Sequence, residues 1–347
     1  MPARITPVAT LSRALRRQQA LASRTKLSGF WYSTEANPGP LVQVTDLPAP
    51  NSGHIRVLEL NRPAARNAIS RALLYSLRDE IEAVHAQYNA ETGAEIEQPG
   101  FKTRFSGPAG DAEKGPTRAL IIASAVDTCF CAGADLKERK GFTQEETAAF
   151  LTTLRATFAS LSALPIPTIS AISSVALGGG LELALSTHMR VLSSNAMVGL
   201  PETKLGIIPG AGGTYRLPAL IGVPRARDMI ITGRRVSAPE AYFLGIADRL
   251  VEVLPEEQQE GRSEKSDAEK SQEVLRSARR SVLSEAVRLS HEICEGGPVA
   301  VRAALQAVQH PIEAVENKMY ERVVATEDRN EALKAFSEKR KPVFKGR

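Results

Sequence analysis

The chain has 347 residues, 43% of them apolar and 24% charged, with a net charge of +5. That composition excludes wholesale disorder and bounds the fold at one large domain or two smaller ones. No run approaches ~18 consecutive apolar residues, which excludes a membrane-spanning helix. The three cysteines, Cys129, Cys131 and Cys294, lack both the number for a disulfide framework and the spacing for structural zinc, so a reduced compartment is expected.

Residues 1–34 hold Arg4, Arg13, Arg16, Arg17, Arg24 and Lys26 and no acid, so the remainder is nearly neutral, with 38 basic against 39 acidic residues. This basic, acid-free, Ser/Thr-rich segment is predicted to be a mitochondrial transit peptide, addressed to the matrix. A basic arm that binds RNA is the competing explanation. From 41 to 254 the spacing predicts an α/β core. His54–Leu60 alternates as a strand, and Leu74, Leu77, Ile81, Val84 and Tyr88 recur as one buried helix face. Residues 89–117 lose periodicity and are expected to form an exposed insertion. Arg118–Ser124 has the apolar, β-prone text of a strand buried on both faces.

A helix with Phe150, Leu151, Leu154, Phe158 and Leu161 on one side follows, stopped by Pro165 and Pro167. Thr168–Ser173 is the next predicted strand. Glycines 178–180 then open a helix through Leu185, followed by strands at Met189–Leu192 and Arg249–Leu254. Alternation of strand and helix predicts crossover connections. Residues 255–273 are almost wholly polar and are expected to be a linker or loop. From 274 to 347 a helical C-terminal region is expected.

Several familiar chemistries are absent from the text. There is no G-x-S-x-G elbow and no P-loop. The histidines, His54, His85, His188, His291 and His310, lack metal-ligand spacing, so no metal is expected. Two glycine-rich turns remain, each close to a glutamate: Gly178–Gly180 before Glu182, and Glu202 ahead of Gly210-Ala211-Gly212-Gly213. A third small-residue turn is Ala132-Gly133-Ala134-Asp135. Glutamates beside free N–H groups suit acid–base work on a carbonyl compound. Tight turns with dipole-favoured glutamates explain the same spacing equally well.

The texts Phe130-Cys131-Ala132-Gly133-Ala134-Asp135-Leu136-Lys137-Glu138, Ala176-Leu177-Gly178-Gly179-Gly180-Leu181-Glu182-Leu183-Ala184 and Pro201-Glu202-Thr203-Lys204-Leu205-Gly206-Ile207-Ile208-Pro209-Gly210-Ala211-Gly212-Gly213-Thr214 resemble the enoyl-CoA hydratase/isomerase (crotonase) family. The resemblance runs from about 54 to 345. It implies a crotonase-like spiral of repeated ββα units with a C-terminal helical region, assembled as trimers or hexamers. It further implies an oxyanion hole from the N–H groups of Ala134 and Gly179, with Glu182 and Glu202 as the catalytic carboxylates. The substrate would be an acyl-CoA thioester, with CoA part of the substrate and no separate cofactor.

By position Lys137 and Lys339 would meet CoA phosphates, although both could equally be solvated. Within the family, Gly133–Arg139 and Leu181–Leu185 are similar to the branch that hydrates 3-methylglutaconyl-CoA to 3-hydroxy-3-methylglutaryl-CoA in leucine degradation. General short-chain enoyl-CoA hydratases are the enzymatic alternative. Arg139 stands where those enzymes carry methionine; the resemblance implies that it lines the acyl pocket and suits a distal carboxylate, although a side chain pointing to solvent beside Lys140 explains it as well.

Two departures stand out. Thr187-His188-Met189-Arg190 replaces the usual Cys-Asp-Ile-Arg, which is expected to alter local packing. The first helix has Arg66, Arg71 and Arg78 against Asp79, Glu80 and Glu82, with no lysine from 61 to 90. The RNA binding of a related lysine-rich branch is therefore not carried over.

Overall fold

The computed structural model describes residues 39–89, 92–96, 104–105, 112–113, 115–253 and 266–347. The expected transit peptide, much of the expected insertion, Leu254 at the end of the expected last strand and residues 255–265 of the expected linker lie outside these. The main sheet has six strands: β1 (Val42–Pro48), β2 (His54–Leu60), β3 (Thr117–Ser124), β5 (Thr168–Ile172), β7 (Met189–Ser193) and β10 (Arg249–Val251), side by side in that order. The strands β4 (Cys129–Cys131), β6 (Val175–Leu177), β8 (Met197–Gly199) and β9 (Arg235–Ser237) form a second sheet, in the order β9-β8-β6-β4. Successive strands from β3 to β8 alternate between the sheets, and the pairings from β2 to β3, β5, β7 and β10 are parallel. This is the repeating ββα path expected from the resemblance.

Helices close each turn of the path: α1 (Arg71–His85), α2 (Leu136–Arg139), α3 (Gln144–Ser162) and α4 (Gly179–Leu185). Then come α5 (Gly213–Ile221), α6 (Val223–Thr232) and α7 (Ala238–Leu244). The α1 and α3 starts are fixed locally: Ser70 Oγ accepts from Leu73 N–H, and Thr143 with Glu146 makes a reciprocal capping box.

Strand β3 shows why the sheet is central. Leu120 and Ile122 enter one core with Leu58, Leu60 and Phe158. Ala119, Ile121 and Ala123, on the opposite face, join Val282, Ala286 and Leu289 of α8 (Asp267–Cys294). Alternation along a strand thus serves two cores at once. The first C-terminal helix is accordingly part of the core, and only α9 (Pro298–Gln309), α10 (Glu313–Val324) and α11 (Glu327–Ser337) follow as a smaller helical group.

Three sequence expectations need correction. Helix α8 begins at Asp267, inside the expected linker, because Ser266 and Glu269 form a capping box that starts it seven residues before Val274. Tyr88 is buried as expected, but it lies beyond α1, and its hydroxyl donates to the Thr117 carbonyl. The insertion is not wholly exposed: Glu95 pairs with Arg118 and, at 2.7 Å, with Arg302 of α9, tying it to the C-terminal helices.

His188 is engaged on both sides of its ring. Its Nδ1 accepts from the Thr168 N–H at 3.1 Å, and its Nε2 lies 2.6 Å from the Gln309 amide of α9. Burial pulls its pKa down from 6.5 to about 4, so the ring is neutral in the folded protein. Between those two values the unfolded chain binds the proton and the native state does not, so stability falls as pH drops from 6.5 toward 4. Wild type should therefore lose melting temperature over this range more steeply than His188→Gln, measured by thermal denaturation at stepped pH. Parallel pH profiles would remove His188 from that dependence.

Candidate active site

Helix α4 is the centre of the site. It opens at Gly178, whose φ of +54° only glycine adopts without strain. Gly180 meets the β4 strand so closely that a Cβ there would lie 2.2 Å from the Cys131 carbonyl oxygen. This approach sets Gly179 against the turn that carries Ala134: a Cβ on Gly179 would be 3.6 Å from the Ala134 nitrogen. Among the described residues neither amide has a backbone acceptor. Two neighbouring free donors at a helix start form a cradle for a developing oxyanion.

The Ala134 segment is braced from outside. Ile69 N–H donates to Gly133 O at 2.7 Å, and Asp135 N–H donates to Ile69 O at 3.1 Å. Buried Asn67 ties the same loop to Phe130 O at 2.9 Å and Ser124 Oγ at 2.8 Å. Asp135 caps α2 through the Lys137 and Glu138 N–H groups and pairs with Arg62 at 2.6 Å. Burial alone would raise the Asp135 carboxyl, but Arg62 and the two N–H groups outweigh it and hold the pKa low.

The two glutamates are brought together as expected. Glu182 is 2% exposed, and its Oε1 accepts from the N–H groups of Ala211 at 2.7 Å and Gly213 at 2.9 Å. Glu202, on a short 3-10 turn over Glu202–Leu205, is 8% exposed. Its Oε1 would lie 3.0 Å from a Cβ on Gly178, and its buried Oε2 has no hydrogen-bond partner among the described residues. Burial raises Glu182, opposed by the two N–H groups and by Arg216 and Arg155. Burial, with the neighbouring Glu182 charge adding to it, pushes Glu202 up to about 7. Two carboxyls that share a buried site cannot both ionise freely, and the two N–H donors on Glu182 favour its ionised form.

The remaining expected site residues divide. Arg139, at the end of α2, is half-buried with its guanidinium 6.0 Å from the Phe150 ring centroid, and it pairs with no carboxylate among the described residues. Phe142 packs edge-on against Phe150 at 5.9 Å, giving that flank an aromatic wall. Lys137 lies on the same short helix and is exposed. Lys339, beyond α11, is exposed, and no hydrogen bond or ion pair joins it to the glutamates among the described residues. No group of three His, Cys, Asp or Glu suited to a metal occurs among the described residues. The cysteines are buried: Cys131 donates to Asn67 O at 3.0 Å, and burial raises its thiol to about 12 and those of Cys129 and Cys294 to about 11.

Sequence reasoning missed Arg155 and Arg216. Arg155 Nε donates to Gly210 O at 2.7 Å, and Arg216 Nη1 to Ala211 O at 2.9 Å. One signal was available: Arg216 sits in the first turn of α5, where the helix dipole disfavours a cation unless a local carbonyl receives it.

Residues 111–273 match the profile of the family described as enoyl-CoA hydratase/isomerase. The chain is 70% identical over 317 residues to methylglutaconyl-CoA hydratase 1, mitochondrial, of Pyricularia oryzae, covering 91% of this chain and 90% of that one. It is 53% identical over 340 residues to an enoyl-CoA isomerase/hydratase of Zymoseptoria tritici, covering 97% and 98%. Among solved structures, the enoyl-CoA hydratase of Bacillus anthracis superposes with a TM-score of 0.69 at 34% identity, covering 88% of this chain and 100% of that one.

The close approach at Gly180 yields a prediction. Gly180→Ala should unseat α4 from β4, lowering stability by about 1–3 kcal/mol or more, because the obstruction is backbone and cannot rotate away. Denaturant unfolding measures this, and wild-type stability would show that the contact relaxes.

Proposed function

The chain belongs to the enoyl-CoA hydratase/isomerase family, and we propose that it hydrates the 2,3-double bond of 3-methylglutaconyl-CoA to give 3-hydroxy-3-methylglutaryl-CoA in leucine degradation. One observation carries this: two buried glutamates, one with an unpartnered oxygen, converge beside two N–H groups without an acceptor. The thioester oxygen sits on the Ala134 and Gly179 N–H groups, which stabilise the enolate charge as water adds. Each such donor is worth ~2.7–4 kcal/mol in other oxyanion holes. Glu182, ionised against its two N–H partners, takes a proton from water as the oxygen bonds to C3. Glu202, protonated up to about pH 7, delivers its proton to C2. Water is thereby added whole, and proton exchange between the carboxyls and solvent resets the site. No metal or separate cofactor enters the scheme.

Arg139 supports the choice of acyl group. An arginine without a carboxylate partner, half-buried beside Phe150, is costly next to a bare alkyl chain and suited to a distal carboxylate. In this reading Lys137 and Lys339, both exposed, meet CoA phosphates as point charges. Mitochondrial matrix localisation agrees with the basic, acid-free start of the chain. Self-association into a trimer or hexamer agrees with exposed apolar side chains on α6 and α7, such as Ile231 and Phe243, and on α10 and α11, such as Tyr320 and Phe336.

Assays of purified protein with crotonyl-CoA and 3-methylglutaconyl-CoA test the reaction. Glu182→Gln and Glu202→Gln should each retain the fold and lose hydration by ~10²-fold or more. Wild-type turnover in either would sink the two-carboxylate scheme. Because Glu202 must hold its proton, hydration should decline as pH rises through about 7.

Arg139→Met should impair methylglutaconyl-CoA by about ten- to a hundredfold in kcat/KM while sparing crotonyl-CoA, the scale of one charge-assisted contact. Equal effects on both substrates would remove arginine from acyl selection.

A further inference from the structure

The Gly210–Gly213 turn receives two arginines from outside the catalytic pair. Arg155 projects from α3, one turn after Leu151, whose Cδ2 would lie 3.4 Å from a Cβ on Gly210. Its Nε donates to the Gly210 carbonyl at 2.7 Å, across 55 positions of sequence. That carbonyl belongs to the same peptide unit as the Ala211 N–H, which donates to Glu182 Oε1 at 2.7 Å. One peptide group is thus gripped at its oxygen by a cation and at its hydrogen by a carboxylate, an arrangement in which each hydrogen bond polarises the other. Arg216, its guanidinium 4.9 Å from the Tyr215 ring centroid, holds the next carbonyl, Ala211, at 2.9 Å. Two residues further along the same turn, the Gly213 N–H donates to Glu182 Oε1 at 2.9 Å. Neither arginine forms an ion pair among the described residues, so both charges are committed to the turn.

We infer that Arg155 and Arg216 are positioning residues that act on Glu182 through the Gly210–Gly213 turn, keeping the Ala211 and Gly213 N–H groups aimed at Oε1. The charged and titratable groups facing Glu182 are then Glu202, Arg155 and Arg216, and both cations favour its ionised form. Arg155 is exposed, so its replacement leaves the core intact.

Infrared titration of the carboxyl band in ligand-free protein, assigned by its loss in Glu182→Gln, reads the effect directly. Arg155→Met and Arg216→Met should each raise the Glu182 midpoint by about half a unit to one unit, as loss of a hydrogen bond to the charged form does. Arg155→Lys, which retains a donor, should restore most of it. An unmoved midpoint in Arg155→Met overturns the inference whatever reaction the site performs, and whether or not Arg216→Met folds. The kinetic arm rests on the hydratase reaction proposed above. Here Arg155→Met should lower kcat about tenfold with KM within about twofold, and should add no further loss in the Glu182→Gln background. Losses of equal size in both backgrounds would show that the arginine does not act through Glu182, and would overturn the inference while leaving the hydratase scheme standing.

Discussion

The approach of Gly180 to the Cys131 carbonyl is the contact on which the site depends. A side chain of any size there would hold α4 away from β4. Separation of the two elements would part the Ala134 and Gly179 amides, which come from different turns of the chain and have no bond to each other. It would also move Glu182, two residues further along the same helix. The expense of closeness is thus concentrated at one glycine, and the rest of the fold can be read as support for it. Parallel strands hold the ends of successive turns in line, and the Asn67 network fixes the loop that carries Ala134.

Electrostatic asymmetry follows from that geometry. Glu182 and Glu202 share a buried space, but Glu182 Oε1 accepts from two N–H groups of the Gly210–Gly213 turn, whereas Glu202 Oε2 has no partner among the described residues. The difference in hydrogen bonding assigns the negative charge to one carboxyl and the proton to the other without any metal ligand set among the described residues. Buried charge of this kind persists only where donors and nearby cations compensate its desolvation. The arginines behind the Gly210–Gly213 turn supply that compensation from a distance, through peptide groups.

Much of this was legible in the text, for identifiable reasons. His54–Leu60 and the Arg118–Ser124 run are long enough to show strand character, and both are strands of the main sheet. The glycine turns mark Glu182 and Glu202 because close backbone approach restricts residue choice locally. The second sheet was hidden, since strands of three residues such as Val175–Leu177 and Met197–Gly199 are too short to display a period of two. The edge strand Val42–Pro48 was missed as well; it has one buried residue, Val42, and little apolar signal. Arg155 was illegible because its partner lies in a different element 55 positions away, and no local pattern records that distance.

The buried thiols carry a chemical consequence. A conjugated enoyl thioester is a Michael acceptor, and a thiolate beside it would alkylate itself on the same β-carbon that water is meant to attack. Cys131 stands three residues before Ala134, yet it is 0% exposed, donates to the Asn67 carbonyl and is held as a thiol to about pH 12. Cys129 and Cys294 are likewise shielded and raised to about 11. Since nucleophilicity belongs to the thiolate, the protein can handle an electrophile at high local concentration without becoming its target. Resistance to covalent self-poisoning is thus built into the packing of β4, the strand that also makes room for Gly180.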